Sequence, residues 1–128
     1  MKRVVISAST RFCDQFAPWV EALEAAGVEV YAPSVEVTAA EWDRMTVGER
    51  RNVQRKLIDA HHTQIDTADA LFVFNPGGYV GNSVTLEVGY ALGQGKPVYA
   101  LEPDSELGRD VMYVGHCATP DQLVAVLQ

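Results

Sequence analysis

Leu71-Phe72-Val73-Phe74-Asn75-Pro76-Gly77-Gly78-Tyr79-Val80-Gly81-Asn82-Ser83-Val84-Thr85-Leu86-Glu87-Val88-Gly89-Tyr90-Ala91 carries an apolar run into a glycine loop and then into a helical pattern bearing a carboxylate. The apolar run ahead of a turn signal reads as a buried strand, Ala70 to Phe74. The glycines let the backbone turn sharply and approach a ligand closely. Val84, Val88, Ala91 and Leu92 recur at helical spacing and mark the face packed on a sheet, while Asn82 or Ser83 can cap the helix. Strand, glycine loop and helix in that order form the layout of a small-molecule site.

Outward from this segment, the same alternation repeats. Arg3 to Ala8 is rich in Val and Ile, as in a parallel strand covered on both faces. Phe16, Val20 and Leu23 keep helical spacing up to Ala26, with Gly27 as the stop and Pro18 expected within the first turn. Val28 to Tyr31 predicts a second strand. One long helix is expected from Ala40 to Asp66, with Val53, Leu57, His61 and Ile65 on one face, and Val35 to Met45 reads as an extended loop, a lid or the helix's beginning. Gly95-Lys96-Pro97 turns the chain into a strand from Val98 to Leu101. Val111 to Val114 is expected as a last short strand and Asp121 to Leu127 as a closing helix.

These elements predict an α/β fold, a three-layer flavodoxin-like or Rossmann-like parallel sheet of about five strands with helices on both faces. Ligands in such folds bind beyond the carboxyl ends of the strands, where strand order reverses. Ser9, Thr10, Arg11 and Phe12 follow the first strand there, Asn75 to Ser83 the third, and Glu102-Pro103-Asp104-Ser105 the fourth.

A chain of 128 residues suits a single domain, residues 1–128. A formal charge of −7 disfavours a nucleic-acid polymer as partner, because phosphate-backbone binding relies on clustered Lys and Arg. The one basic cluster, Arg50-Arg51 with Arg55-Lys56, shares a polar helix with Glu49 and Asp59 and reads as a solvated face. No apolar run approaches the roughly 20 residues that span a bilayer, and Met1-Lys2-Arg3 leads straight into a strand, so no membrane contact and a cytoplasmic location are expected. Cys13 and Cys117 lie far apart and read as reduced thiols.

No metal or cofactor is expected. His61 and His62 point about 100° apart on a helix and do not readily share one ion. His61, on the face of Leu57 and Ile65, reads as a hydrogen-bonded core or crevice-wall histidine. His116 beside Cys117 makes no nucleophile pair by adjacency alone. Asp69 is expected at the amino end of the third strand in a structural role, and Glu102 and Asp104 as solvated loop carboxylates.

Glu87 borders the packed stripe of its helix, so it is expected to lie partly dry along the sheet edge. Burial raises a carboxyl pKa and the positive end of a helix lowers it, so a glutamate here can remain ionised and desolvated, as a nucleophile or general base requires. A solvated glutamate that merely complements the helix dipole is the plainer alternative.

The residues resemble the nucleoside 2-deoxyribosyltransferase family, including related nucleoside and nucleoside 5′-monophosphate N-glycosidases. The resemblance is carried by Ala8-Ser9-Thr10-Arg11-Phe12, Ala68-Asp69-Ala70, Gly78-Tyr79-Val80-Gly81 with Ser83, and above all Leu86-Glu87-Val88-Gly89-Tyr90-Ala91 running to Gly95-Lys96-Pro97-Val98. It implies an enzyme that cleaves or transfers the N-glycosidic bond of a nucleoside or its 5′-monophosphate, with Glu87 as the nucleophile. Asn75 stands where the family commonly has an aspartate that handles the departing base; an amide can hydrogen-bond a base but is no general acid. The tyrosine that transferases place on the first strand is absent, with Ile6 or Ser7 in its stead. Tyr79 is then either a substitute catalytic hydrogen-bonder or an aromatic that covers the crevice or meets another subunit. Substrate contacts are expected from Ser9, Thr10, Arg11, Phe12, Gly78, Gly81 and Ser83, with Ser9, Arg11 and Ser83 suited to a phosphate. Ser9 is equally a plain turn residue and Ser83 a plain helix cap. The resemblance also implies a homodimer or higher homo-oligomer whose neighbouring subunit completes the pocket.

Two other readings remain open. Pro76-Gly77-Gly78-Tyr79 also resembles the PGGxGTxxE signature of lysine-decarboxylase-like phosphoribohydrolases, although Val80 interrupts it and Asn82-Ser83 replaces the threonine. The third reading is a non-catalytic nucleotide-binding module, which Asn75 and the missing tyrosine permit.

Overall fold

The computed structural model describes residues 1–128. Five strands, β1 (Arg3–Ser7), β2 (Glu29–Tyr31), β3 (Ala70–Val73), β4 (Val98–Ala100) and β5 (Gly115–His116), form one sheet in the order β2-β1-β3-β4-β5. Every pairing is parallel, with Val5 opposite Tyr31 on one side and Leu71 on the other. This is the doubly wound order whose reversal falls between β1 and β3.

Six helices complete the layers: α1 (Cys13–Ala25), α2 (Ala39–Arg44), α3 (Val47–Asp66), α4 (Asn82–Gly93), α5 (Leu107–Asp110) and α6 (Pro120–Leu127). Alternation within β1 and β3 splits the core in two. Val4, Ile6, Phe72 and Phe74 meet Phe16, Trp19 and Leu23 of α1 and Leu123 of α6. Val5, Leu71 and Val73 turn to the opposite face, against Ile65 of α3 and Val84, Val88 and Ala91 of α4. Both faces are therefore covered, which is why these strands read as unbroken apolar runs.

Several boundaries differ from expectation. The long helix divides into α2 and α3, each opened by its own capping box, Thr38 with Glu41 and Thr46 with Glu49. Two such reciprocal caps stop the helix before it can run through. The last strand is β5, not Val111 to Val114; Val111 lies in the turn after α5, and Val114, though exposed, meets the sheet only through its N–H, which donates to the Val98 carbonyl at 2.8 Å. Pro18 lies inside α1, on its exposed side, and the residue whose carbonyl it leaves without an amide partner, Asp14, is exposed too. Helix α4 begins behind Gly81 without a side-chain cap, so neither Asn82 nor Ser83 serves as one; Thr85 instead donates its hydroxyl hydrogen to the Gly81 carbonyl at 2.8 Å. Leu92 and Leu57 are more exposed than the packed face predicted.

Candidate active site

The carboxyl ends of β1 and β3, the start of α4 and the segment 34–43 enclose a cavity of about 560 Å³, within the usual range for small-molecule sites. Ser9, Thr10, Tyr79, Gly81, Ser83 and Glu87 line one side of it. Across from them lie Val35, Glu36, Trp42 and Asp43, with Val53 and Leu57 of α3. The segment left open between loop and lid thus forms a wall of the cavity. A smaller recess of about 170 Å³, which shares Thr10, Ser83 and Glu87 with the main cavity, reaches Tyr31 and His61.

Glu87 sits at the junction of these spaces with its side chain only 14% exposed. Its helix position explains this placement. Val84 and Val88 anchor α4 on the sheet, and Glu87 projects beside them, past the carboxyl end of β1. There Ser7, fully buried, places its Oγ 3.0 Å from His61 Nε2, and the same nitrogen lies 3.4 Å from Glu87 Oε1. Burial pushes the Glu87 carboxyl up to about 7, against the opposing pull of a hydrogen bond from Ser7. Burial, with a smaller contribution from His62, pushes His61 down to about 4, so the imidazole is neutral at neutral pH. The group is therefore a dry carboxylate that keeps company with uncharged donors.

The other expected residues divide. Ser9, Thr10, Gly81 and Ser83 line the cavity. Arg11 and Phe12 do not line it; they pack against Tyr79, with the guanidinium carbon 4.4 Å from the ring centre, Arg11 Nη2 donating to the Tyr79 hydroxyl at 3.2 Å, and Phe12 meeting the ring edge-on. Tyr79 thus lines the cavity with its hydroxyl engaged by Arg11, and no hydrogen bond joins it to Glu87.

Asn75 and Gly78 are placed elsewhere. The Asn75 amide is fully buried; it donates to the Glu102 carbonyl at 2.9 Å and accepts from the Glu102 amide at 3.0 Å. That clamp ties the loop after β3 to the loop after β4 and uses both ends of the side chain, so Asn75 is not a free partner for a departing base. Gly78 supports the same junction, lying against Pro103 rather than on the cavity. Asp104, expected as a solvated carboxylate, is buried and salt-bridged to Arg109 at 2.6 Å. Asp69, as expected, is structural: it accepts the Arg3 backbone N–H at 2.8 Å beside the amino end of β3.

His61 and His62 diverge as their spacing predicted, His61 toward Ser7 and His62 onto the ring of Tyr90, stacked at 4.0 Å. No three His, Cys, Asp or Glu side chains cluster as a metal would need, Cys13 and Cys117 are free thiols, and no helix is long and apolar enough to cross a membrane. The partnership of Ser7 and His61 with Glu87 was the part sequence reasoning missed. A serine ending an apolar strand, and a histidine one turn from Ile65 on a packed face, were the available signals.

The geometry can be set beside known proteins. The family model described as nucleoside 2-deoxyribosyltransferase matches residues 13–121. A solved CMP N-glycosidase from Clostridium botulinum is 18% identical, with 98% of each chain covered and a TM-score of 0.57. A 2-deoxyribosyltransferase from Bacillus psychrosaccharolyticus is 16% identical over 94% of this chain and 89% of that one, with a TM-score of 0.62. A conserved protein from Enterococcus faecalis is 14% identical over 98% and 96%, with a TM-score of 0.65. These structural likenesses show a shared fold. Among curated proteins, no sequence matches. The family match runs from α1 into α6, taking in β3, the glycine loop and the helix that bears Glu87, and on that extent the chain belongs to the nucleoside 2-deoxyribosyltransferase family.

Proposed function

We propose that this protein cleaves or transfers the N-glycosidic bond of a nucleoside or nucleoside 5′-monophosphate, with Glu87 as nucleophile. The observation that carries the reading is the Glu87 carboxylate itself, nearly dry on the wall of a nucleoside-sized cavity and raised to about 7. A Glu87 oxygen attacks the anomeric carbon as the bond to the base breaks; that bond's electron pair leaves with the base, which takes a proton from solvent. The glycosyl ester then yields to water, for hydrolysis, or to a second base, for transfer. Splitting the substitution in this way lets a carboxylate stabilise an oxocarbenium-like centre twice. Ser9, Thr10 and Ser83 are proposed to contact the sugar or its phosphate. Arg11, with its guanidinium on the exposed Tyr79, is proposed to reach a phosphate at the cavity's edge.

The test is incubation with a panel of ribo- and deoxyribonucleosides and their 5′-monophosphates, following free base by chromatography. Release by the wild type and none by Glu87→Ala supports the reading; an active Glu87→Ala protein removes Glu87 from the mechanism. The clamp on Asn75 favours a second reading, a binding module without turnover, because it removes the side chain in the family's base-handling place from the cavity. Calorimetric binding of nucleotides with no base released at high protein concentration establishes that alternative. Association of subunits that complete the cavity belongs to the same proposal, and light scattering measures it.

A further inference from the structure

Resting on the reading of Glu87 as nucleophile, we infer that Ser7 and His61 are positioning residues, which hold the Glu87 carboxylate toward the cavity through uncharged hydrogen bonds.

Ser7 is the last residue of β1, and alternation puts it with Val5 on the face covered by α3 and α4. A fully buried hydroxyl at the end of an apolar strand requires a partner. Its hydrogen-bond partner is His61 Nε2 at 3.0 Å, and its hydroxyl pulls the Glu87 carboxyl down as a donor would. His61 is itself buried one turn before Ile65, and the ring of Tyr31 from β2 meets it edge-on. Three separate elements, β1, α3 and α4, thus deliver three polar side chains to one dry point.

The chemistry of the pair fixes the direction of its bonds. Next to an ionised Glu87, a bare Nε2 lone pair at 3.4 Å would repel the carboxylate, so Nε2 carries the ring hydrogen, donates it to Ser7 Oγ at 3.0 Å and keeps its positive edge beside Glu87. Ser7, accepting from His61, turns its own hydroxyl hydrogen to the Glu87 carboxylate. Neutral donors orient an anion and favour its charged form without cancelling the charge that a developing oxocarbenium ion needs. A lysine or arginine in either place would form a competing ion pair.

The test compares Ser7→Ala, His61→Phe, His61→Gln and Glu87→Ala with the wild type in kcat, KM and thermal midpoint against pH. It also follows the Glu87 carboxyl by carbon NMR. Other titratable groups facing the site are Tyr31 from β2, Glu36 from the segment after it and His62 on α3. Ser7→Ala and His61→Phe are expected to lower kcat roughly ten- to a hundred-fold with a much smaller change in KM. Both shift the acid limb, and the NMR titration of Glu87, to higher pH, since a bond to the charged form is lost. His61→Gln, which keeps an N–H donor, recovers most of the rate. An unmoved acid limb, NMR titration and kcat in Ser7→Ala overturn the inference, even where His61→Phe does not fold. So does a fall in thermal midpoint alone. If Glu87→Ala is inactive while Ser7→Ala matches the wild type, only the positioning role fails; if Glu87→Ala is active, the nucleophile reading fails and this inference with it.

Discussion

Two carboxylates in this molecule have been taken out of water, and they have met different fates. Asp104 is wholly buried and is clasped by Arg109 through Nε at 2.6 Å and Nη2 at 2.7 Å, by the Tyr113 hydroxyl at 2.6 Å and by the Glu106 amide at 2.9 Å. Burial pushes it up, but the guanidinium and the other donors outweigh that and leave its carboxyl below the ordinary value. Arg109 also reaches Thr85 Oγ1 at 3.2 Å, so the pair fastens the loop after β4 to α4. Glu87 is almost as dry, yet only uncharged side chains attend it and it is raised to about 7. An acid paired with a cation becomes a rivet. One given only neutral company keeps its charge in reserve for whatever enters the cavity.

The sharpest way to break this contrast is Glu87→Gln, an isostere that removes the charge and leaves the packing. Base release is expected to fall by at least about 10³-fold with the fold intact, as loss of a covalent nucleophile entails. Retained turnover would make Glu87 a second rivet. Asp104→Ala comes next: it strands Arg109 and Tyr113 and is expected to cost about 3–4 kcal/mol in denaturant unfolding, with kcat of the folded protein unchanged. A large drop in kcat at full stability would place Asp104 in the catalytic machinery.

The third effect is smaller and opposite in sign. Folded Glu87 titrates at about 7 against an ordinary 4.5, so between those values the folded chain holds a proton that the unfolded chain has released. Stability from this group is therefore full below pH 4.5 and is lost as pH rises through 7. Above pH 7, Glu87→Gln is expected to be more stable than the wild type by up to about 3 kcal/mol, an upper bound because Gln keeps only part of the hydrogen bonding to Ser7 and His61. His61 runs the other way, from 6.5 down to about 4, costing stability as pH falls through that interval, so urea melts at pH 8 isolate the glutamate. A Gln variant less stable than the wild type at pH 8 would contradict the burial cost assigned to the Glu87 charge.

The sequence disclosed the Glu87 side of the comparison far better than the Asp104 side. Helical spacing around Val84 and Val88 put Glu87 at the edge of a packed face, and strand alternation placed the segments after β1 and β3 at one crevice. Those are local periodicities, and local periodicity survives in a linear string. The clamp from Asn75 to Glu102 spans 27 residues, and the bond from Ser7 to His61 spans 54. Partners that far apart are chosen by packing, so neither Asn75's removal from the cavity nor Ser7's contact with Glu87 was legible. Asp104 looked like a solvated loop acid because its cation, Arg109, belongs to a four-residue helix that carries no apolar stripe to announce it. Val111 to Val114 misled for the converse reason. It has strand-like composition, but the chain leaves α5 through a turn and meets β4 within this run only by the Val114 N–H, so the strand forms at Gly115–His116.

Gly78 supplies the smallest test, at the seam between the two regions. Its φ is +80°, and a Cβ there would stand 2.7 Å from the Pro103 carbonyl oxygen and 3.3 Å from the Ser105 amide. Gly77, next to it, also has a positive φ but meets nothing within 4 Å. Ala at either position pays for left-handed backbone, whereas only Gly78→Ala also forces apart the loops that follow β3 and β4. Gly78→Ala is therefore expected to cost about 2 kcal/mol or more and Gly77→Ala about 1 kcal/mol, measured by urea unfolding. Because the displaced loop holds Asp104 and Tyr79 lies one residue on, Gly78→Ala is also expected to raise KM more than it lowers kcat. Equal costs at the two glycines would mean that the seam yields, and that the Asp104 anchor does not fix the wall on which Tyr79 stands.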